Sequence, residues 1–221
     1  HLSDRVNKIS ESQTIAMARK SRELKAQGVD IISLSLGEPD FATPQIIKDA
    51  AKKAIDDNFS YYTHVSGYLE LREAACKKFK RDNNLDYTPD EIVISTGAKQ
   101  SIANAVLCII NPGDEVIIPA PFWVSYLEIL KLADGTPKII DTTIDSDFKI
   151  TAAQLEKAIT PKTRMIMIST PCNPTGSVYT KEELKSLAEV VARHEELYIL
   201  SDEIYEQIGR ASCRERVSLN V

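Results

Sequence analysis

Apolar residues recur along this chain in two alternating rhythms. Short runs at 92–95, 115–118, 138–141, 164–169 and 197–201 are dense in Ile, Val, Leu and Met and have the length of strands. Between them lie longer stretches, at 98–110, 124–132, 152–159 and 180–193, with the apolar spacing of amphipathic helices. The last opens on Thr180-Lys-Glu-Glu183, the spacing of a capping box. Upstream, Thr43-Pro44 starts a helix, with proline expected at its first position and Ile46, Ile47, Ala50 and Ala54 as its stripe. A further helix follows Gly67, with Leu71, Ala75 and Phe79 on one face. Repeated strand–helix units with crossovers of this length predict an α/β fold: a mostly parallel sheet with helices on both faces.

The alternation divides the chain. Residues 1–42 lack it and are expected to be an N-terminal arm together with part of a smaller domain. Residues 43–207 carry the large domain, which is expected to be incomplete. From Ile208 the periodicity stops. Ile208 to Val217 reads, residue for residue, as the translation of a common sequencing adapter, so 208–221 is expected to be a non-native tail.

Composition narrows the function classes. The 221 residues are 43% hydrophobic and 27% charged, which suits a soluble protein with a substantial core. A net charge of −5 gives no basic stripe for nucleic acid, and no apolar run approaches a membrane span. The tail holds three Arg and one Glu, so without it the chain is two units more negative. Cys76, Cys108, Cys172 and Cys213 show neither C-x-x-C spacing nor grouping with the three histidines, which argues against zinc and a disulfide framework. A reducing cytoplasm is the expected setting.

The polar residues that could carry chemistry follow one after another just beyond strand ends. Thr170-Pro-Cys-Asn173-Pro-Thr-Gly176 closes one apolar run and Asp202-Glu-Ile-Tyr205 closes the next. In a parallel sheet both groups face the crevice at the carboxyl ends, where such folds bind ligands. Asp202 with Tyr205 three residues on, opposite Asn173, suits the ring of pyridoxal 5′-phosphate, whose protonated nitrogen calls for a carboxylate. Thr96-Gly97-Ala98-Lys99 opens a helix and could hold a phosphate on its free N–H groups. Trp123, the only tryptophan, follows two prolines and could stack on an aromatic ring. Each group also has a bland reading. Gly97 allows a tight turn, Trp123 suits a core, Pro-Thr-Gly is common turn chemistry and Asp202 could be a helix cap. Tyr61-Tyr62 could be packing, and His64 and Cys172 have no visible catalytic partner.

The ordered set Leu36-Gly37-Glu-Pro-Asp-Phe41, Tyr62 ahead of Gly67, Thr96-Gly-Ala-Lys99, Phe122-Trp-Val-Ser-Tyr126, Asn173-Pro-Thr-Gly176 and Ser201-Asp-Glu-Ile-Tyr205 resembles the fold-type I pyridoxal-phosphate aminotransferases. The likeness is nearest to the bacterial aspartate aminotransferase branch, subgroup Iβ, and covers residues 2–207. It implies that Asp202 pairs with the pyridinium nitrogen, and that Tyr205 and Asn173 bond the ring's phenolic oxygen. Trp123 would stack on the ring face, and Gly97, Ala98 and Lys99 would hold the phosphate. Tyr62 would reach the cofactor of a second subunit in a homodimer. Gly37, Trp123 and Asn173 would border the substrate, an amino acid or a 2-oxo acid. The resemblance also implies cis peptides before Pro121 and Pro174.

One departure matters for activity. The family's Schiff-base lysine and two later arginines lie downstream of the Asp-x-x-Tyr motif, and no Ser-x-x-Lys segment follows Tyr205 here. The reading is therefore the N-terminal part of an aminotransferase acting on aspartate or a similar L-amino acid, inactive alone. Alternatives are a β-lyase or synthase on the same scaffold, a non-catalytic aminotransferase-like ligand-binding module, or a short interaction protein with an open sheet edge prone to aggregation.

Overall fold

The computed structural model describes residues 1–33, 37 and 41–207. The tail at 208–221, and Leu36, Glu38, Pro39 and Asp40 of the first motif, lie outside the described residues.

The N-terminal part contributes helices α1 (Asp4–Asn7), α2 (Gln13–Ala26), α3 (Gln45–Asp56) and α4 (Leu69–Asn83). Then follow α5 (Ala98–Ile109), β1 (Glu115–Ala120), α6 (Ser125–Leu132) and β2 (Thr136–Asp141). The chain continues through α7 (Ala152–Ala158), β3 (Thr163–Ser169), α8 (Lys181–Val191) and β4 (Tyr198–Asp202). All strand pairs are parallel, in the order β2-β1-β3-β4.

Strand alternation sorts the core into two layers. Val116 and Ile118 of β1, with Met165 and Met167 of β3, meet Ile102 and Val106 of α5 and Tyr126, Ile129 and Leu130 of α6. Ile117, Ile166 and Ile168 point the other way, onto Leu155 of α7 and Leu187, Val190 and Val191 of α8. Both faces are thus covered, as the apolar runs require. Thr180 caps α8 with its side chain while Glu183 reaches back to the Thr180 N–H, so the expected capping box is formed.

Two expectations are corrected. The run at 92–95 is extended but forms no ladder: the Ile94 N–H bonds the Ser66 carbonyl at 3.0 Å, and no described strand lies beside it. Pro44 is the N-cap of α3 and precedes the first helical residue. Most of the α3 stripe faces outward, with Ile46 79% exposed and Ile47 and Ala50 also exposed, while Ala54 is half-buried. In α4, Leu71 is exposed while Ala75 and Phe79 are half-buried. The N-terminal stretch also holds a helix, α2, that strand–helix alternation did not reveal.

Polar groups close the amino ends of the strands. The Glu115 carboxylate accepts from the Thr160 hydroxyl at 2.6 Å and the Thr163 hydroxyl at 3.3 Å, with Lys138 Nζ 3.6 Å away. The Thr160 bond, opposed by burial and aided by Lys138, holds Glu115 below the ordinary carboxylate value of 4.5. A depressed carboxylate contributes stability above its unfolded pKa and loses it as pH falls through the folded pKa. In urea titrations, Glu115→Gln is expected to be less stable than wild type at pH 7. That gap should close as pH drops below the ordinary 4.5. A gap unchanged across this window would show that the Glu115 bonds carry no linkage.

Candidate active site

The crevice lies where β3 and β4 end side by side. Ser169 is paired with Asp202 at the last rung of their ladder, so the loops leaving both strands start together. After β3 the chain turns through two cis peptides, Thr170-Pro171 and Asn173-Pro174, and the Gly176 N–H closes the turn onto the Cys172 carbonyl at 2.8 Å. After β4 a short turn carries Tyr205. Asn173 Nδ2 donates to the Tyr205 hydroxyl at 2.9 Å, joining the two loops across the crevice. Both side chains are half-buried. The cis bond before Pro121 is present as well.

Asp202 ends β4 half-buried. Its Oδ1 accepts the Ile204 N–H at 3.3 Å and its Oδ2 accepts the Tyr126 hydroxyl at 2.7 Å. A carboxylate has about four acceptor directions, so these two bonds leave capacity for a cationic N–H. Tyr126 is only 2% exposed. Burial, reinforced by the bond to Asp202, pushes its hydroxyl far above the usual phenol value, so it stays protonated and acts as a donor. Sequence reasoning placed Tyr126 inside a motif but gave it no role. The signal was there: a buried tyrosine needs a partner for its hydroxyl.

Trp123 stands just before α6, held in register by the Tyr126 N–H to Trp123 carbonyl bond of 3.0 Å. Its ring meets Tyr126 edge-on, 5.6 Å between centroids and 88° between planes. Lys99 Nζ lies 4.9 Å from the Trp123 ring centroid, a cation–π contact that brings the start of α5 to the start of α6. Gly97, the N-cap of α5, has φ +82°, a backbone state that side chains resist, and no side chain caps the helix. The N–H groups of Ala98 and Lys99 therefore stand at an open positive helix end. The Gln100 side chain folds back onto the Thr96 N–H.

Other expected positions are not gathered here. Tyr62 is fully exposed and Gly37 has no atom within 4 Å of where a Cβ would stand. His64 is used locally, its Nδ1 accepting the Ser66 N–H at 3.2 Å. Cys172 is half-buried, with its thiol 3.5 Å from the Pro121 carbonyl, and it has no histidine partner among the described residues. No group of three or more metal-ligating side chains occurs among the described residues, and no described helix is long and apolar enough to cross a membrane.

Comparison with known proteins gives this arrangement a family. The model for aminotransferase class I and II matches residues 29–220. The chain belongs to that family. It is 50% identical over 207 residues to the aspartate/prephenate aminotransferase of Cereibacter sphaeroides, covering 94% of this chain and 52% of that protein. It is 52% identical, with the same coverage, to the aspartate/prephenate aminotransferase of Nitrosomonas europaea. Among solved structures, the aspartate aminotransferase of Thermus thermophilus with maleate superposes with a TM-score of 0.90 at 42% identity. That match covers 93% of this chain and 54% of the Thermus chain. This aminotransferase chain thus spans about half the length of the curated relatives it matches.

Proposed function

We propose that this chain forms the cofactor-gripping part of a pyridoxal-phosphate aminotransferase. The observation that carries the reading is the pairing of an acidic strand end, Asp202, with the bonded Asn173–Tyr205 pair at the neighbouring strand end. The donor set fits the cofactor's four distinct demands. Asp202 offers a carboxylate to a protonated ring nitrogen. Asn173 and Tyr205 offer polar hydrogens toward a ring oxygen. Trp123 offers an indole face, and Gly97, Ala98 and Lys99 offer N–H groups and a cation to a phosphate. Bound there, pyridoxal 5′-phosphate supplies the electron sink through which an amino group passes between an L-amino acid and a 2-oxo acid. Gly37, Trp123 and Asn173 border the substrate in this reading. An aspartate-like amino acid is the proposed donor, in keeping with the names of the relatives.

Asp202 would hold the ring charge through the reaction, and the Asn173–Tyr205 pair would fix the ring's rotation in its plane. Tyr62, exposed in a single chain, would serve the site of a second subunit in a cytoplasmic homodimer. The sequence contains no lysine after Lys185, so the chain offers no amine beyond Tyr205 for covalent attachment. We therefore expect the 221-residue chain to hold the cofactor's ring and phosphate but not to transaminate alone.

Pyridoxamine 5′-phosphate is the suitable probe, since it has no aldehyde to react with surface lysines. Equilibrium binding is expected to be saturable at one site and competed by inorganic phosphate. Asp202→Ala should weaken it by about ten- to a hundredfold, the range of one charge-assisted hydrogen bond. Binding that never saturates, or that ignores Asp202→Ala, would remove the reading.

A further inference from the structure

Most polar contacts of the crevice lie within one turn or join the loops of the two neighbouring strand ends. The Tyr126 hydroxyl is different. It is donated from a helix on one face of the sheet to a carboxylate at the end of an edge strand, 76 positions away in sequence. The ring that carries it is almost wholly buried among α5, α6 and β3. It forms a T-shaped pair with Trp123, the residue expected to face the ring, at 5.6 Å between centroids. One rigid side chain therefore touches both groups that would define the ring's position, the charge partner and the stacking face.

We propose that Tyr126 is a positioning residue that holds Asp202 and Trp123 in a common frame, so that a ligand ring resting on the indole presents its nitrogen to the carboxylate. The proposal rests on the cofactor reading above. Three observations support it. The bond is short, 2.7 Å, as charge-assisted O–H···O⁻ bonds are. Its donor is held by burial: Tyr126 is 2% exposed in the core layer that also holds Ile129 and Leu130 of the same helix. The Asp202 backbone is itself tied to the β3 exit, where the Thr170 N–H donates to its carbonyl at 3.4 Å. The backbone and both carboxylate oxygens are thus bonded, which restrains the orientation of the carboxylate. Tyrosine suits this place better than a smaller donor, since its ring fills the core while its hydroxyl reaches the site.

The test separates positioning from simple structural support by using two probes that differ in one ring atom. Pyridoxamine 5′-phosphate has a ring nitrogen; its 1-deaza analogue has a C–H there and cannot bond Asp202. Tyr126→Phe keeps the packed ring and removes only the hydroxyl. It is expected to weaken pyridoxamine 5′-phosphate binding to the 221-residue chain by about tenfold while leaving the deaza analogue within about twofold. In an Asp202→Asn background the same change should have no further effect on either probe, because the partner charge is already gone. Cooperative urea unfolding of Tyr126→Phe and Asp202→Asn would accompany that result and show that both variants remain folded. Equal losses for both probes would make Tyr126 a structural residue and overturn the proposal, as would no loss for either. Wild-type chain that binds neither probe would defeat the cofactor reading itself, and the proposal with it. Wild-type binding of pyridoxamine 5′-phosphate that Tyr126→Phe leaves intact would overturn the proposal alone.

Discussion

Replacing Ile166 by alanine is expected to remove about 2–5 kcal/mol of stability, the range for deleting a large aliphatic side chain from a packed core. Ile166 is fully buried on β3, a central strand with neighbours on both edges. Its side chain sits in the layer shared with Leu155, Leu187 and Val190, so the vacated space is walled by two helices and cannot readily collapse. Ile46→Ala on α3 is the matched control. The chemistry is similar, but Ile46 is 79% exposed, and surface changes of this kind stay within about 0.5 kcal/mol. Urea midpoints measured side by side give the comparison. Similar losses for the two variants would mean that Ile46 is covered in solution and that α3 has a packing partner.

A second large effect is expected at Gly67. Its φ is +95°, and a Cβ built there would lie 2.8 Å from Ile94 Cβ, a branch point that cannot swing aside. Gly67→Ala therefore meets backbone strain of about 1–3 kcal/mol and overpacking of similar size. We expect a total loss of about 2–4 kcal/mol, since partial relaxation relieves both. Ile94→Ala in the same chain removes the Cγ1 contact at 2.9 Å but keeps Cβ, so it should recover part of the overpacking and leave the strain, giving a positive coupling in a double-mutant cycle. If Ile94→Ala recovers nothing, the close approach of these two segments is not a feature of the folded chain.

The parts of the fold that were legible in sequence are those whose pattern is self-contained. Met165 to Ile168 could be read as a strand because each residue is apolar, and the structure shows why: both faces are covered. The capping box at Thr180 was legible because it needs only four consecutive residues. Asn173, Asp202 and Tyr205 could be grouped because parallel strands deliver their carboxyl ends to one edge, and the Asn173–Tyr205 bond is the direct consequence. What was not legible depended on distant partners. The run at 92–95 has the composition of a strand, but a strand exists only against a neighbour, and none of the described residues provides one. The stripe on α3 shows that a helix is amphipathic without saying what it packs on. Tyr126 received no role because its acceptor lies on the last described strand, far along the chain.

The strand order β2-β1-β3-β4 has a consequence in time. As the chain leaves the ribosome, β1 appears first and serves as a seed. β2 docks on one side of it, β3 on the other, and β4 beside β3. Each strand after β1 emerges to find its neighbour already made, which limits the time that open edges invite misassembly during synthesis. The crevice belongs to the last of these additions. α5, α6 and β3, which bury Tyr126, all leave the ribosome before its acceptor does, so Asp202 arrives at a hydroxyl already in place.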